Sequence, residues 1–399
     1  MHHLIPARQA RSGQDLIFAL NAEATQRARA GEAIVNGTLG ALMHDDGRLA
    51  VLGAVTRALG EVPAPEWAAY APILGSPGFV EAVVADTFST APALQAAATG
   101  AATPGGTGAL RLALTNYLEH GQALLTASLY WGPYLTLCEE HERRLETFRM
   151  FDEQGKLDLA ALQAALEGQL AKQGRVLLFL NDPCNNPTGY SLSAEEWKAL
   201  AGLLGRYAGR PVTLLVDMAY WLYGARDPRA FLAALEPLVG QVGLLFAWSA
   251  SKSYTHYGLR VGALLACTGD AERAATEAAL SFSCRGTWSN CNRGGMAAVT
   301  RLLKEEALRT ACDAERRTLT ALLAGRVAAF NRAAQPRGLR YPRYEGGFFV
   351  TVFHPEAEAQ AEKMRGQGVY VVPQKGALRV ALCSAAEADV PRLVNALAS

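Results

Sequence analysis

The 399-residue chain has no CxxC pair, no polybasic tract and no apolar stretch that runs far enough without a charge, glycine or proline to span a bilayer. Its seven cysteines, Cys138, Cys184, Cys267, Cys284, Cys291, Cys312 and Cys383, are odd in number and scattered. That spacing suits neither a disulfide framework nor a zinc site, and points to reduced thiols. The seven histidines are equally dispersed, and the His2-His3 pair has no third ligand nearby, so it reads as tag-like or solvated and no metal is expected. Lys and Arg number 38 against 37 Asp and Glu, for a net charge of +1. A balance of this kind carries no electrostatic footprint for nucleic acid or an anionic membrane, which leaves small metabolites as the expected partners. The opening MHHLIPARQARSGQDLIFAL has no apolar core of signal-peptide length, so the expected location is the cytoplasm. No internal repeat or low-complexity tract is present.

Half of the residues are apolar, enough for a sizeable core and for two domains or one large unit with an appendage. In the middle of the chain, β-prone runs alternate with amphipathic helical stretches such as LSAEEWKALAGLLGRYAG. The runs are VLLFL at 176–180, VTLLVD at 212–217, LLFAWS at 244–249 and VGALLAC at 261–267. The alternation predicts an α/β fold, and strands this continuously apolar predict a mainly parallel sheet covered by helices on both faces, with ligands beyond the carboxyl ends of the strands. After about residue 293 the pattern changes to a long helical region followed by the shorter strand-like GGFFVTVF, GVYVVP and LRVALC. The expected division is a large domain at 46–293 and a smaller α+β domain made of 1–45 and 294–399. The first 45 residues pack either on the C-terminal part or on a second subunit.

Four motifs sit at strand ends. TPGGTGALRLAL places Gly106, Thr107 and Gly108 before a helix running to about His120, where backbone donors and a hydroxyl can meet an anion at the positive end of the helix dipole. Alone the signal is weak, and an ordinary glycine-rich turn is the plainer reading. NDPCNNPTGYSLS follows a buried run and precedes a helix capped by Ser193; the Asn186-Pro187 bond is open to the cis form, and the Asn186 amide can donate to a cofactor or substrate oxygen. In LLVDMAYWLYG, Asp217 ends an apolar strand, a costly place for a carboxylate unless a cation or strong donor meets it; a helix cap or structural ion pair is the plainer alternative. WSASKSYTHYGLRVGAL carries Ser249, Ser251, Lys252 and Arg260: a lysine able to form an imine with an aldehyde, with a hydroxyl and a guanidinium suited to a dianionic phosphate. An anion loop, a donor asparagine, a strand-end carboxylate and a lysine with a nearby arginine are together what pyridoxal 5'-phosphate requires. Lys252 would bind its aldehyde as a Schiff base, Asp217 would keep the ring nitrogen protonated, and Asn186 and Tyr220 would hydrogen-bond the ring hydroxyl oxygen.

TPGGTGALR, NNPTG, DMAY, SASK with GLRVG, and RGTWSN at 285–290 follow one another as in the fold-type I, class I aminotransferases, and the chain resembles most the aspartate and aromatic amino acid enzymes from about residue 35 to its end. The resemblance implies a homodimer with shared active sites. It matches Gly106, Thr107, Ser249 and Arg260 to the phosphate site and Lys252 to the Schiff-base lysine. Asn186, Asp217 and Tyr220 match the ring contacts, with Trp131, or alternatively Tyr130, as the stacking aromatic. It further implies that Tyr70 reaches the partner's cofactor phosphate, that Gly40 lies near the substrate carboxylate, that Arg379 binds the α-carboxylate and that Arg285, from the neighbouring subunit, binds a distal carboxylate. WGPY and RGTWSNCN depart from the aspartate enzymes' pattern around the substrate pocket, which leaves dicarboxylic and aromatic substrates both open. The expected reaction moves an amino group between an L-amino acid and a 2-oxo acid by a ping-pong course. A lyase or synthase on the same scaffold, or a noncatalytic cofactor-binding sensor, is the alternative.

Overall fold

The computed structural model describes residues 3–9, 11 and 15–399, so His2 lies outside the described residues. Contacts within the chain divide it into two units. Unit 2 comprises 50–324 and 343–348, and unit 1 comprises 1–49, 325–342 and 349–399.

Unit 2 is built on seven strands: β1 (Ala98–Thr103), β2 (Ala123–Ala127), β3 (Arg144–Phe148), β4 (Val176–Asn181), β5 (Val212–Asp217), β6 (Gly243–Ser249) and β7 (Gly262–Cys267). They lie in the order β1-β7-β6-β5-β4-β2-β3. Every pairing is parallel except the two made by β7, which runs against β1 and β6. Every residue of β4, β5 and β7 is buried, as their mostly apolar sequences require of strands covered on both faces. Alternation along β6 shows the two coverings. Leu245 and Ala247 join Leu110, Leu114, Leu177 and Leu264 in one cluster. Phe246 and Trp248 meet Phe88 and Phe79 edge-on from the opposite face, at 4.9 and 6.2 Å between ring centres.

The helices that matter for the site are α1 (Gly105–Tyr117), α2 (Pro133–Glu140), α3 (Ala194–Gly205), α4 (Ala250–Ser253), α5 (Asp270–Arg285), α6 (Arg293–Lys304) and α7 (Glu306–Ala334). Ser193 caps α3 as its sequence predicts, in a capping box closed by Glu196. Residues 294–324, which the sequence assigns to the smaller domain, fall in unit 2. The reason is amphipathic packing: α6 buries Met296, Val299, Leu302 and Leu303 and packs on the helices Gly53–Gly60, Ala64–Ala68 and Phe79–Thr87. The division between units falls inside α7, after Ala324.

Unit 1 contains a three-stranded antiparallel sheet, Val372–Gln374, Ala377–Ala381 and Phe349–Phe353, and a short parallel pair of Val35–Asn36 with Val369–Tyr370. Arg326 is fully buried there and donates to the carbonyls of Met43 and Cys383 and to the Asp45 carboxylate, each at 2.7 Å. Among the described residues of the chain, no helix is long and apolar enough to cross a membrane.

Candidate active site

The register of the sheet levels the strand ends. Asn181 pairs with Asp217, Asp217 with Ala247, and both Ser249 and Thr103 pair with Gly262. At that carboxyl edge, Gly106, Thr107, Trp131, Asn186, Asp217, Tyr220, Ser249, Lys252 and Arg260 line one pocket together with Leu110, Asn181, Ala219 and Ser251. The first nine of these, and Ser251, were singled out in the sequence, and they converge within unit 2. Tyr130 is not in that lining; its ring is parallel to that of Tyr134 at 6.4 Å. A roomier cavity of about 340 Å³ opens beside Asp182, Trp197, Trp221 and Phe231, but its lining holds no lysine, so volume does not identify the site.

The end of the pocket suited to an anion is made by α1 and the stretch before β7. Pro104 precedes α1 without a side-chain cap, leaving the first-turn N–H groups to face another acceptor. Gly105 has φ +73°, and a Cβ there would lie 2.5 Å from Arg260 Nη2. Arg260 itself adopts a left-handed backbone, φ 55° and ψ 47°, and donates to Ser251 Oγ at 3.1 Å and to the Pro104 carbonyl at 3.3 Å. At Gly262 a Cβ would meet the Gly105 carbonyl carbon at 2.5 Å, so two glycines let the loop before β7 lie directly on the start of α1. Ser249 Oγ accepts from the Ser251 amide at 3.2 Å.

Asp217 is buried, and burial pushes its carboxyl above the usual range. Three groups pull the other way: the Tyr134 hydroxyl, which donates to Oδ2 at 2.7 Å, the Ala219 amide, which donates to Oδ1 at 3.1 Å, and the positive charge of Lys252. The Lys252 Nζ lies 5.4 Å from the centre of the Tyr220 ring. Asn186 donates from its amide to the Tyr220 hydroxyl at 3.3 Å, and the Asn186-Pro187 bond is cis. Asn181 ties this loop to the strand beside it: its Oδ1 accepts from Asn186 N at 2.6 Å and its Nδ2 donates to the Asp217 carbonyl at 2.8 Å.

Sequence reasoning did not assign roles to Asn181, Gly105 or Tyr134. Asn181 had a readable signal, a polar residue closing an apolar run, as Asp217 does. Tyr70 and Arg285 belong to unit 2 but lie outside the pocket lining. Tyr70 is 86% exposed, and Arg285, the last residue of α5, donates to Ser289 Oγ. Gly40 and Arg379 belong to unit 1. There Arg379 is buried, donates to the Thr38 carbonyl and lies over the Phe349 ring at 4.7 Å, and a Cβ on Gly40 would come within 2.6 Å of the same ring.

A mainly parallel sheet presenting an amine, a buried carboxylate and an anion cradle at one edge is the architecture of fold-type I enzymes that work with pyridoxal 5'-phosphate. Residues 38–397 match aminotransferase class I and II. An aminotransferase from Anaerococcus prevotii superposes with a TM-score of 0.93 at 31% identity, covering 100% of this chain and 99% of that one. Tyrosine aminotransferase of Rhizobium meliloti is 31% identical over 72% of this chain and 74% of its own length. The aromatic-amino-acid aminotransferase of Pseudomonas aeruginosa is 29% identical over 74% and 73%. The chain belongs to the class I and II aminotransferase family. It is a transferase whose cofactor is pyridoxal 5'-phosphate, and the comparisons lend nothing to the lyase or sensor alternative.

The donor set fits that cofactor. Each Asp217 oxygen accepts one neutral donor from within the chain, so lone pairs remain for a protonated ring nitrogen. The uncapped start of α1, with Arg260 and two serine hydroxyls beside it, has the chemistry of a phosphate cradle.

Proposed function

We propose that the chain moves the amino group of a dicarboxylic or aromatic L-amino acid to a 2-oxo acid in two half-reactions, with Lys252 as its catalytic residue. The observation that carries this reading is the convergence of Lys252, Asp217, Asn186, Tyr220 and Arg260 on one pocket. When bound, the cofactor supplies an electron sink for the bonds of the substrate's α-carbon. Gly106, Thr107, Ser249 and Arg260 hold its phosphate, Asn186 and Tyr220 hold its ring oxygen, Trp131 covers its ring, and Asp217 holds a proton on the ring nitrogen. Lys252 would hold the cofactor covalently and, as the free amine, would take and return the α-proton at Nζ. Arg379 binds the substrate α-carboxylate through its planar fork, with Gly40 leaving room beside it.

In this reading unit 2 is the cofactor domain, unit 1 is the smaller domain, and two copies assemble so that Tyr70 and Arg285 serve the neighbouring copy's site. Tyr70 and Phe282 are large side chains of unit 2 left 86% and 82% exposed, which supports surfaces covered on assembly. The protein works in the cytoplasm, a reading supported by cysteines that are all free thiols in the structure. The test is the absorbance of the purified protein before and after glutamate, aspartate or phenylalanine, without an oxo acid. A shift of the cofactor band with one or more donors supports transamination and ranks them. Lys252→Ala should abolish turnover, and substantial residual transamination in that variant removes the role given to the lysine.

A further inference from the structure

We propose that Tyr134 is a positioning residue for the cofactor: its hydroxyl, donating to Asp217 Oδ2 at 2.7 Å, fixes the orientation of that carboxylate and favours its charged form. This deepens, and rests on, the reading of Asp217 as the ring nitrogen's partner.

Pro133 occupies the first turn of α2, where it needs no N–H partner, and this delivers the next side chain, Tyr134, into the core. Its ring is fully buried and held edge-on by Phe179 at 5.3 Å and Trp131 at 5.8 Å. The hydroxyl therefore has a fixed direction, toward Asp217 Oδ2 at 2.7 Å. Burial pushes the Tyr134 hydroxyl well above its usual range, with the Asp217 charge acting in the same sense, so it stays a neutral donor. A neutral donor stabilises the carboxylate without cancelling its charge, as a lysine or arginine in that place would, and the full negative charge stays available to a ring cation. The groups facing Asp217 are Tyr134 from α2, the Ala219 amide beyond β5 and Lys252 from α4, while the Tyr220 hydroxyl acts on Tyr134. Lys252 is committed to the cofactor, which leaves Tyr134 as the side-chain donor that persists.

The test begins with the protein stripped of cofactor, following the infrared carboxyl band of Asp217 against pH, assigned by its loss in Asp217→Asn. Tyr134→Phe should move the acid-to-carboxylate transition up by roughly one pH unit, tenfold in proton affinity. Incorporating 3-fluorotyrosine in place of Tyr134, which exchanges one ring hydrogen for fluorine, keeps the hydroxyl and makes it a stronger donor, should move it down. In parallel, Tyr134→Phe should weaken binding of pyridoxal phosphate by about tenfold. An unmoved transition in both variants overturns the proposal. So does undiminished cofactor binding in Tyr134→Phe when Asp217→Asn loses it. If Asp217→Asn binds the cofactor as well as the parent does, the reading of Asp217 falls instead, and the infrared titration alone decides whether Tyr134 governs that carboxylate.

Discussion

Replacing Gly105 by alanine should damage the anion end of the site while sparing the rest of the chain. Gly105 sits at φ +73°, which costs a residue bearing a Cβ about 1 to 2 kcal/mol. The new Cβ would lie 2.5, 2.8 and 3.1 Å from Nη2, Cζ and Nη1 of Arg260, all well inside the distance at which carbon and nitrogen pack. Since the neighbour is a flexible guanidinium and not backbone, the fold survives and Arg260 moves. It then leaves Ser251 Oγ at 3.1 Å and the Pro104 carbonyl at 3.3 Å, and with them its aim at the cradle. Losing one charge-assisted hydrogen bond to a phosphate weakens binding by about 2 to 3 kcal/mol, roughly 30- to 150-fold in dissociation constant. The assay is an absorbance titration of the cofactor-free protein with pyridoxal phosphate and, separately, with pyridoxal, which has no phosphate. Affinity for the phosphate ester should fall and that for pyridoxal should hold. An equal loss for both, or a loss for neither, refutes the assignment of Gly105 and Arg260 to the phosphate.

Two further changes probe stability away from that pocket. Glu196 accepts from the Tyr190 hydroxyl, the amides of Leu157 and Ser193, and Arg343; burial raises its carboxyl, but these donors outweigh it and bring it to about 2. Because the folded value is depressed below the ordinary 4.5, its contribution is present above that pH and is lost as pH falls toward 2. Glu196→Gln should therefore lower stability by about 3 kcal/mol at pH 7, with the gap closing between pH 4.5 and 2 in urea unfolding; a gap independent of pH removes the argument. Arg326→Met removes the buried donor to the carbonyls of Met43 and Cys383 and to the half-exposed Asp45 and should cost about 2 to 3 kcal/mol, read by chemical denaturation; a change under about 1 kcal/mol contradicts it.

The sequence revealed the strands that are mostly apolar. β5 spans the stretch expected of it, 212–217, and β4, β6 and β7 differ from their expected ranges by one residue at an end. It did not reveal β1, β2 or β3. The run ATGAAT of β1 has little intrinsic preference for a strand, and what makes it one is pairing with β7, where Gly100 admits the Leu264 carbonyl to 2.3 Å of the place a Cβ would take. β3 is an edge strand, RLETF, whose polar residues hide it. The candidate site residues at strand ends, which the structure brings to one pocket, stood out in the sequence because an apolar run that stops on Asp217 or is followed by SASK announces a chemical break. Tyr134 was not, since its meaning lies in Asp217, 83 positions away, and nothing local to WGPY marks the pairing. The left-handed backbone of Gly105 was equally hidden, because a glycine-rich turn does not say which glycine bears the strain.

The reversed direction of β7 has a consequence for how the pocket is assembled. A parallel strand after β6 would need a crossover of a dozen or more residues and would return the chain at the opposite edge of the sheet. Because β7 runs back, the chain leaves the carboxyl edge at Ser249 and re-enters it at Gly262, and the amine and the guanidinium hang from one short excursion, eight residues apart. The excursion works as a caliper. In the proposed reading, one loop clamped at both feet carries both the amine meant for the cofactor's aldehyde and the guanidinium meant for its phosphate, so the length of that loop limits how far apart the two can stand.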